Sequence, residues 1–176
     1  MTALAVVDWG AGLGRTVKEI RKTQSADRIR WTLFERNEET GAKLKTLHDE
    51  GPDVTFSTSV KVLSTIPANV VLLTNVLHVL RPEEIAQAMS AIHALLAERK
   101  GVLIASEIYP LLMPEQEAVP VPAHHLANFL RTIGFGVPQI NFEVAGCSAS
   151  CLAAQVKSGT ATEPNFIETE TVKMWR

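Results

Sequence analysis

The chain is poor in cysteine and has no excess of charge of either sign, and both shortages exclude classes of protein. Cys147 and Cys151 are the two cysteines among 176 residues, too few for a disulfide framework. Small core residues are a simpler interpretation of this pair than a zinc or redox site. The net charge of −2 lacks the basic surplus of proteins that grip a nucleic-acid backbone, so nucleic acid is not favoured, although a local basic face stays open.

Long apolar runs and a signal peptide are also missing. No stretch is long enough to span a bilayer, so we expect no membrane partner and a cytoplasmic location. With 46% hydrophobic residues, the chain can nevertheless bury a core of ordinary size. Its length predicts one domain, which we place at residues 1–157, followed by a polar C-terminal tail at residues 158–176.

The most informative segment that is present is a glycine-rich turn near the amino terminus. Asp8 is followed by Gly10, Gly12 and Gly14 at alternate positions, after an apolar stretch typical of a strand and before a helical pattern. Without a Cβ, such glycines let the backbone turn tightly and approach a ligand closely. A strand-to-helix turn also points free backbone N–H groups at that ligand. The turn therefore predicts a nucleotide-like ligand.

The spacing of these glycines argues against a dinucleotide. The dinucleotide fingerprint has the pattern G-x-G-x-x-G or G-x-G-x-x-A, whereas Arg15 occupies its last position here. No catalytic Ser-Tyr-Lys pattern is evident, which further disfavours a nicotinamide-dependent oxidoreductase. A plain turn without a ligand is the alternative interpretation of the glycines taken alone.

Strand-like and helix-like patterns alternate along the chain. Strand patterns cover residues 3–7, 30–34, 54–56, 69–74, 101–106, 137–144 and 150–156, and the fourth is a continuous apolar run typical of a central strand covered on both faces. Helical patterns cover residues 13–22, 38–50, 83–99 and 123–133. This order predicts an α/β fold with a doubly wound, mostly parallel seven-stranded sheet and a C-terminal antiparallel hairpin.

The motif D-x-G-x-G-x-G, from Asp8 to Gly14, and this layout resemble class I S-adenosylmethionine (SAM) dependent methyltransferases over nearly the whole chain. The resemblance implies that SAM is the cofactor and S-adenosylhomocysteine the product. It also implies that Gly10, Gly12 and Gly14 approach the methionyl part of SAM, and that Asp8 lies near its amino group.

Further candidate cofactor-binding residues follow the next predicted strands, because ligands of open α/β sheets bind beyond the carboxyl ends of the strands. Glu35, with Arg36 after it, lies about twenty residues past the glycines, and the resemblance makes Glu35 the ribose-binding acid. Ser57 and Thr58 follow the third strand, where many family members have an acid beside the adenine. These hydroxyls either bind the base or cap a helix. Asn75 ends the fourth strand, in a segment similar to the family's fourth motif.

The candidates for catalysis are His78 and Glu107. Methyl transfer mainly needs alignment of the acceptor, and an oxygen acceptor usually also needs a base. His78 follows the fourth strand, and histidine is a common general base; packing on the site wall is its alternative role. Glu107 follows the fifth strand and either binds substrate or faces solvent. No metal site is expected, because the adjacent His124 and His125 point apart on a helix.

The identity of the methyl acceptor stays open. The chain lacks the Asn/Asp-Pro-Pro-Tyr/Phe motif of base-nitrogen methylation and the Pro-Cys nucleophile of cytosine-carbon methylation. No covering segment precedes the first strand, and the one sizeable insertion is residues 109–122. The missing cover has three possible explanations: the acceptor is large, a protein partner or second subunit covers the site, or the chain is an excised domain. We expect a SAM-dependent methyltransferase, and the alternative is a methyltransferase-like binding or scaffold module.

Overall fold

The protein is built on an open α/β sheet with helices on both faces. A computed structural model describes residues 3–23, 28–49, 53–63, 65–108, 123–137, 139–144 and 148–156. The predicted tail at 158–176, the insertion at 109–122 and Cys147 lie outside the described residues, as do the side chains of Glu107, His124, His125 and Cys151.

Helices and strands alternate as the sequence predicts, which confirms the α/β architecture. The strands are β1 (Leu4–Trp9), β2 (Ile29–Phe34), β3 (Val54–Ser57), β4 (Val70–Thr74), β5 (Val102–Ile108), β6 (Gln139–Val144) and β7 (Ser148–Gln155). The helices are α1 (Arg15–Ile20), α2 (Glu38–Asp49), α3 (Val60–Leu63), α4 (Pro82–Ala97) and α5 (Ala123–Thr132), and a 3₁₀ turn (Leu77–Val79) precedes α4. No described helix is long and apolar enough to cross a membrane.

The strand order in the sheet is β3-β2-β1-β4-β5-β7-β6. The pairs from β3 to β5 are parallel, whereas β7 is antiparallel to both β5 and β6. The order reverses between β1 and β4, and the carboxyl ends of these strands border the crevice in which open α/β sheets bind ligands. Asp8 lies at this point, paired in register with Leu33 of β2 and Leu72 of β4.

The apolar side chains form one cluster on each face of the sheet. The larger cluster packs α4 and α5 against β4 and β5, with Leu73, Met89 and Leu130 fully buried. The smaller cluster packs α1 and α2 against β1 and β2 around Trp31 and Leu33. A fully buried side chain of this size contributes about 1.5–3 kcal/mol to stability, so the two clusters hold the crossover helices in place.

The coverage of β4 differs from the sequence expectation. Its apolar run predicts burial on both faces, but only alternate residues, Val71 and Leu73, are fully buried. Val70 and Leu72 are half-buried and pack at the border of the smaller cluster. Among the described residues, the helices therefore cover one face of this strand more completely than the other.

Several element boundaries also differ from the prediction, and one short helix was not predicted. The first helix begins at Arg15 instead of Leu13, because Gly14 has a left-handed φ of 69° that no helix accommodates. Glu107 does not follow the fifth strand but lies inside it, because β5 continues in register with β7 as far as Ile108. The one-turn helix α3 is too short to show a period in the sequence.

Helix α4 is joined to the end of α5 through a buried histidine. His93 is 9% exposed, and its ring meets Phe135 edge-on, with ring centroids 5.2 Å apart. A Cβ on Gly134, whose φ is 103°, would lie 2.8 Å from His93 Nε2. Burial lowers the pKa of His93, and a backbone hydrogen bond with Gly134 opposes this only in part.

We expect His93 to make the fold less stable in mild acid. Because its pKa is lowered in the folded state, the unfolded chain takes up a proton first as the pH falls through 6.5. The His93→Gln variant removes this titration. Urea unfolding of both proteins between pH 5 and 8 should show that the difference between their free energies of unfolding depends on pH. A difference that is constant across this range would contradict the lowered pKa of His93.

Candidate functional site

A cleft of about 640 Å³ opens at the carboxyl ends of β1, β2 and β4 and is closed on one side by α4. Sites for small molecules typically have volumes of about 300–1,000 Å³. The cleft brings together many of the predicted cofactor-binding residues, namely Gly10, Gly12, Glu35, Arg36 and Asn75. The switch point of the sheet and the cleft therefore coincide.

The backbone of the glycine turn is held by the end of β2. The N–H groups of Gly10 and Ala11 both donate to the carbonyl of Phe34, at 2.8 and 2.9 Å. The N–H of Gly12 donates to Glu35 Oε2 at 3.0 Å, and that of Gly14 to the carbonyl of Ala11. These four groups already have acceptors within the chain, contrary to the expectation of free donors.

The three glycines differ in what surrounds them, although all have positive φ. A Cβ on Gly10 would lie 2.6 Å from Val76, and a Cβ on Gly14 would overlap Leu47. Packing within the protein therefore explains both of these glycines. A Cβ on Gly12 would meet nothing within 4 Å, so the space beside Gly12 belongs to the cleft and is open to a ligand.

The carboxylate of Glu35 is fixed at the border of the cleft. Oε2 accepts the N–H of Gly12, and Oε1 accepts the N–H of Asn37 at 2.8 Å. A carboxylate has about four acceptor positions, so each oxygen retains capacity for a further donor such as a hydroxyl. The position of Glu35 therefore suits a ligand with neighbouring hydroxyl groups.

Asp8 lies behind the turn as a buried carboxyl group. It is 2% exposed, and its Oδ2 has no hydrogen-bond partner among the described residues. Burial, and secondarily the nearby negative charge of Glu35, raises the pKa of Asp8 to about 7. Asp8 does not itself line the cleft, but Trp9 and Gly10, which follow it, do.

An ion-pair cluster spans the mouth of the cleft. Arg36 Nη1 donates to Glu84 Oε1 at 2.8 Å, and Arg81 Nε donates to Glu84 Oε2 at 3.3 Å. The backbone N–H of Arg81 also donates to Oε2. The hydrogen bond from Arg36 and the two from Arg81 lower the pKa of Glu84 to about 2. Arg36 thereby connects the end of β2 to the amino terminus of α4.

The residues predicted at the third and fourth strands have different surroundings. Ser57 is 7% exposed, and its hydroxyl group bonds the backbone N–H and carbonyl of Ser59. Neither Ser57 nor Thr58 lines the cleft. Asn75 does, in a left-handed conformation with φ of 56° that asparagine tolerates better than most residues. Its N–H donates to the carbonyl of Ser106, which fixes the turn after β4.

Of the two catalytic candidates, His78 does not itself line the cleft. His78 lies in the 3₁₀ turn and is half-buried, between Val76 and Val79, which do line the cleft. Glu107 pairs with Ser150 of β7, and its side chain is outside the described part of the structure. Among the described residues, no group of three His, Cys, Asp or Glu side chains is placed to hold a metal ion.

Sequence reasoning missed the contribution of α4 to the cleft. Glu84, Gln87, Ala88 and Ala91 all line it, at the spacing i, i+3, i+4 and i+7 that places residues on one helical face. The signal was present, because this face is polar or small, whereas Ile85, Met89, Ile92 and Leu96 form the large apolar face of the same helix.

Comparison with solved structures shows which fold this is. The CurJ carbon methyltransferase superimposes with a TM-score of 0.69 at 17% identity, over 89% of this chain and 49% of that one. Magnesium protoporphyrin IX methyltransferase (ChlM) from Synechocystis PCC 6803, solved with S-adenosylhomocysteine bound, gives 0.66 at 18% identity, over 89% and 75%. This chain has the class I methyltransferase fold.

Proteins with this fold catalyse more than one kind of reaction. The [4+2]-cyclase SpnF superimposes with a TM-score of 0.68 at 15% identity, over 90% of this chain and 76% of that one. The chain spans about half the length of several of the methyltransferases it matches. No family model and no curated protein matches the sequence.

We expect the Asp8→Asn substitution to stabilise the protein at pH 8. Because the pKa of Asp8 is raised in the folded state, ionisation of its carboxyl group lowers stability as the pH rises from about 4 to 7. At about 1.4 kcal/mol per pKa unit, the gain is on the order of a few kcal/mol at pH 8 and vanishes near pH 4. Denaturant unfolding at both pH values measures it. A variant that is less stable than the parent at pH 8 would show that the carboxylate has a favourable partner.

Proposed function

We propose that this protein binds SAM in the cleft and transfers its methyl group to an acceptor. The observation that carries the proposal is the open space beside Gly12, next to the fixed carboxylate of Glu35, at the switch point of a class I methyltransferase fold. The positive φ of Gly12 requires glycine for the turn, and the missing side chain leaves room for a ligand to approach the backbone.

The hydrogen bonds of the turn favour SAM over a dinucleotide. A pyrophosphate group is bound by free N–H groups at a glycine turn and helix amino terminus. Here the N–H groups of Gly10, Ala11, Gly12 and Gly14 already donate within the chain. SAM carries no phosphate, and its ribose hydroxyls suit the remaining acceptor positions of Glu35.

The charge distribution also suits the methionyl part of SAM. The buried carboxyl group of Asp8 has an oxygen without a partner among the described residues, and an ammonium group nearby would stabilise its ionised form. Glu35 adds a second negative charge on the same side of the turn. Two acidic groups around an otherwise uncharged glycine turn favour a cationic ligand over an anionic one.

The chemical step needs little from the protein beyond alignment. When bound, SAM supplies a methyl group on a positively charged sulfur, which is already a good leaving group. The strand ends and the turn at Asn75 hold the site rigid, so the acceptor can be fixed in line with the methyl group. His78, beside Val79 at the cleft, is our candidate for the base that removes a proton from an oxygen acceptor. Glu107 stays a candidate for binding the acceptor.

Calorimetric titration with SAM and S-adenosylhomocysteine, with NAD as the control ligand, tests the proposed site. We expect micromolar binding of the first two and none of NAD. The Gly12→Val substitution fills the open space and also strains the left-handed turn, so it should weaken SAM binding at least tenfold, about 1.4 kcal/mol.

A second pair of variants separates the ribose contact from general loss of charge. Glu35→Ala should also weaken SAM binding at least tenfold, since it removes the acceptor of the Gly12 N–H and of the ribose hydroxyls. Glu39→Ala is the matched control, because Glu39 is an exposed acid on α2 that pairs with Lys43 and does not line the cleft. Unchanged SAM affinity in both Gly12→Val and Glu35→Ala would overturn the placement of the site.

His78→Ala tests the candidate base with any oxygen acceptor found by screening. We expect kcat to fall by about 10²–10⁴-fold, the usual contribution of a general base, while the affinity for SAM stays the same. The loss should shrink at high pH, where the acceptor ionises without help. Equal turnover by variant and parent would remove His78 from this role. Binding of SAM without any turnover across a broad acceptor screen would favour the non-catalytic module.

A further inference from the structure

The face of α4 that borders the cleft has one neutral polar side chain. Five residues of this helix line the cleft. Glu84 is held by Arg36 and Arg81, Glu83 has an interaction of its own, and Ala88 and Ala91 have no polar side-chain atoms. Gln87 is the fifth, one turn further along the helix than Glu84. The amide of Gln87 is therefore the neutral hydrogen-bonding group that this wall offers to a ligand.

No contact within the described part of the protein explains why residue 87 is a glutamine. Its side chain is exposed, and it makes no hydrogen bond or ion pair with any residue that the structure describes. Its amide provides both a donor and an acceptor, side by side. The Watson–Crick edge of adenine presents the complementary pair, an acceptor at N1 and a donor at N6.

The surroundings of Gln87 suit a flat ring with apolar faces. Val60 of α3 and Val79 of the 3₁₀ turn border the same cleft and are 41% and 66% exposed, high values for such side chains. Trp9 and Phe34, with ring centroids 4.7 Å apart, also line the cleft. A planar base placed among these groups would cover apolar surface, and its polar edge would still need a partner.

The third strand does not supply that partner. The hydroxyl of Ser57 is already bonded to the backbone of Ser59, and neither Ser57 nor Thr58 lines the cleft. We propose that Gln87 binds the edge of the ligand's adenine, and so determines the preference for this base, in place of the residues that follow β3. The inference rests on the proposed function, since Glu35 in the same cleft would hold the ribose of that nucleoside.

The experiment combines one change in the protein with one change in the ligand. The ligands are S-adenosylhomocysteine and its 6-deamino analogue, in which hydrogen replaces the amino group of the base. The proteins are the parent, Gln87→Leu, and the control Ala94→Leu, which places the same side chain at an exposed position two turns further along α4. Leucine is a good helix former, and thermal unfolding verifies that each variant folds.

We expect the parent and Ala94→Leu to bind S-adenosylhomocysteine about five- to tenfold more tightly than the analogue, the usual contribution of one neutral hydrogen bond. Gln87→Leu should bind both ligands with the same affinity. If Gln87→Leu keeps the preference of the parent, or the parent has none, the assignment of Gln87 is overturned while SAM binding stands. If the parent binds neither ligand, the proposed function fails, and the inference fails with it.

Discussion

The contact between the end of β2 and the glycine turn is the constraint on which the rest of the site depends. The carbonyl of Phe34 accepts two N–H groups of the turn, and the carboxylate of Glu35 accepts a third. Since β2 is itself fixed in register with β1 over six residue pairs, the turn has little freedom. Its position sets the open space beside Gly12, and it places Asp8 beneath the turn without access to water.

This arrangement favours ligand binding at the expense of stability. An unpartnered buried carboxyl group lowers the stability of the folded state, and Glu35 makes it worse by adding a like charge. A cationic group bound in the cleft would offset both effects. At the mouth of the cleft, by contrast, the carboxylate of Glu84 is paired with both Arg36 and Arg81. The carboxyl group without a partner among the described residues therefore lies behind the glycine turn, and not at the mouth of the cleft.

The fold by itself does not decide the reaction, because function depends on the groups that a site presents. Proteins with this architecture include carbon methyltransferases and a [4+2]-cyclase. What favours methyl transfer here is local: glycine N–H groups that are already engaged, an acid with free acceptor capacity, and a cleft with one apolar wall. The acceptor has to be found by experiment, since the one sizeable insertion, at residues 109–122, lies outside the described residues.

The sequence by itself determined the order of the elements and the position of the glycine turn, because apolar periodicity and glycine spacing are local properties of the chain. It also predicted Glu35, since the acid follows a strand at a fixed distance from the turn. Only the tertiary structure decided that Gly12 faces open space whereas Gly14 packs on Leu47. It likewise decided that Gln87 joins the cleft although Ser57 and Thr58 do not. These outcomes depend on contacts between side chains of elements that are far apart in sequence, and a local sequence pattern does not predict such contacts.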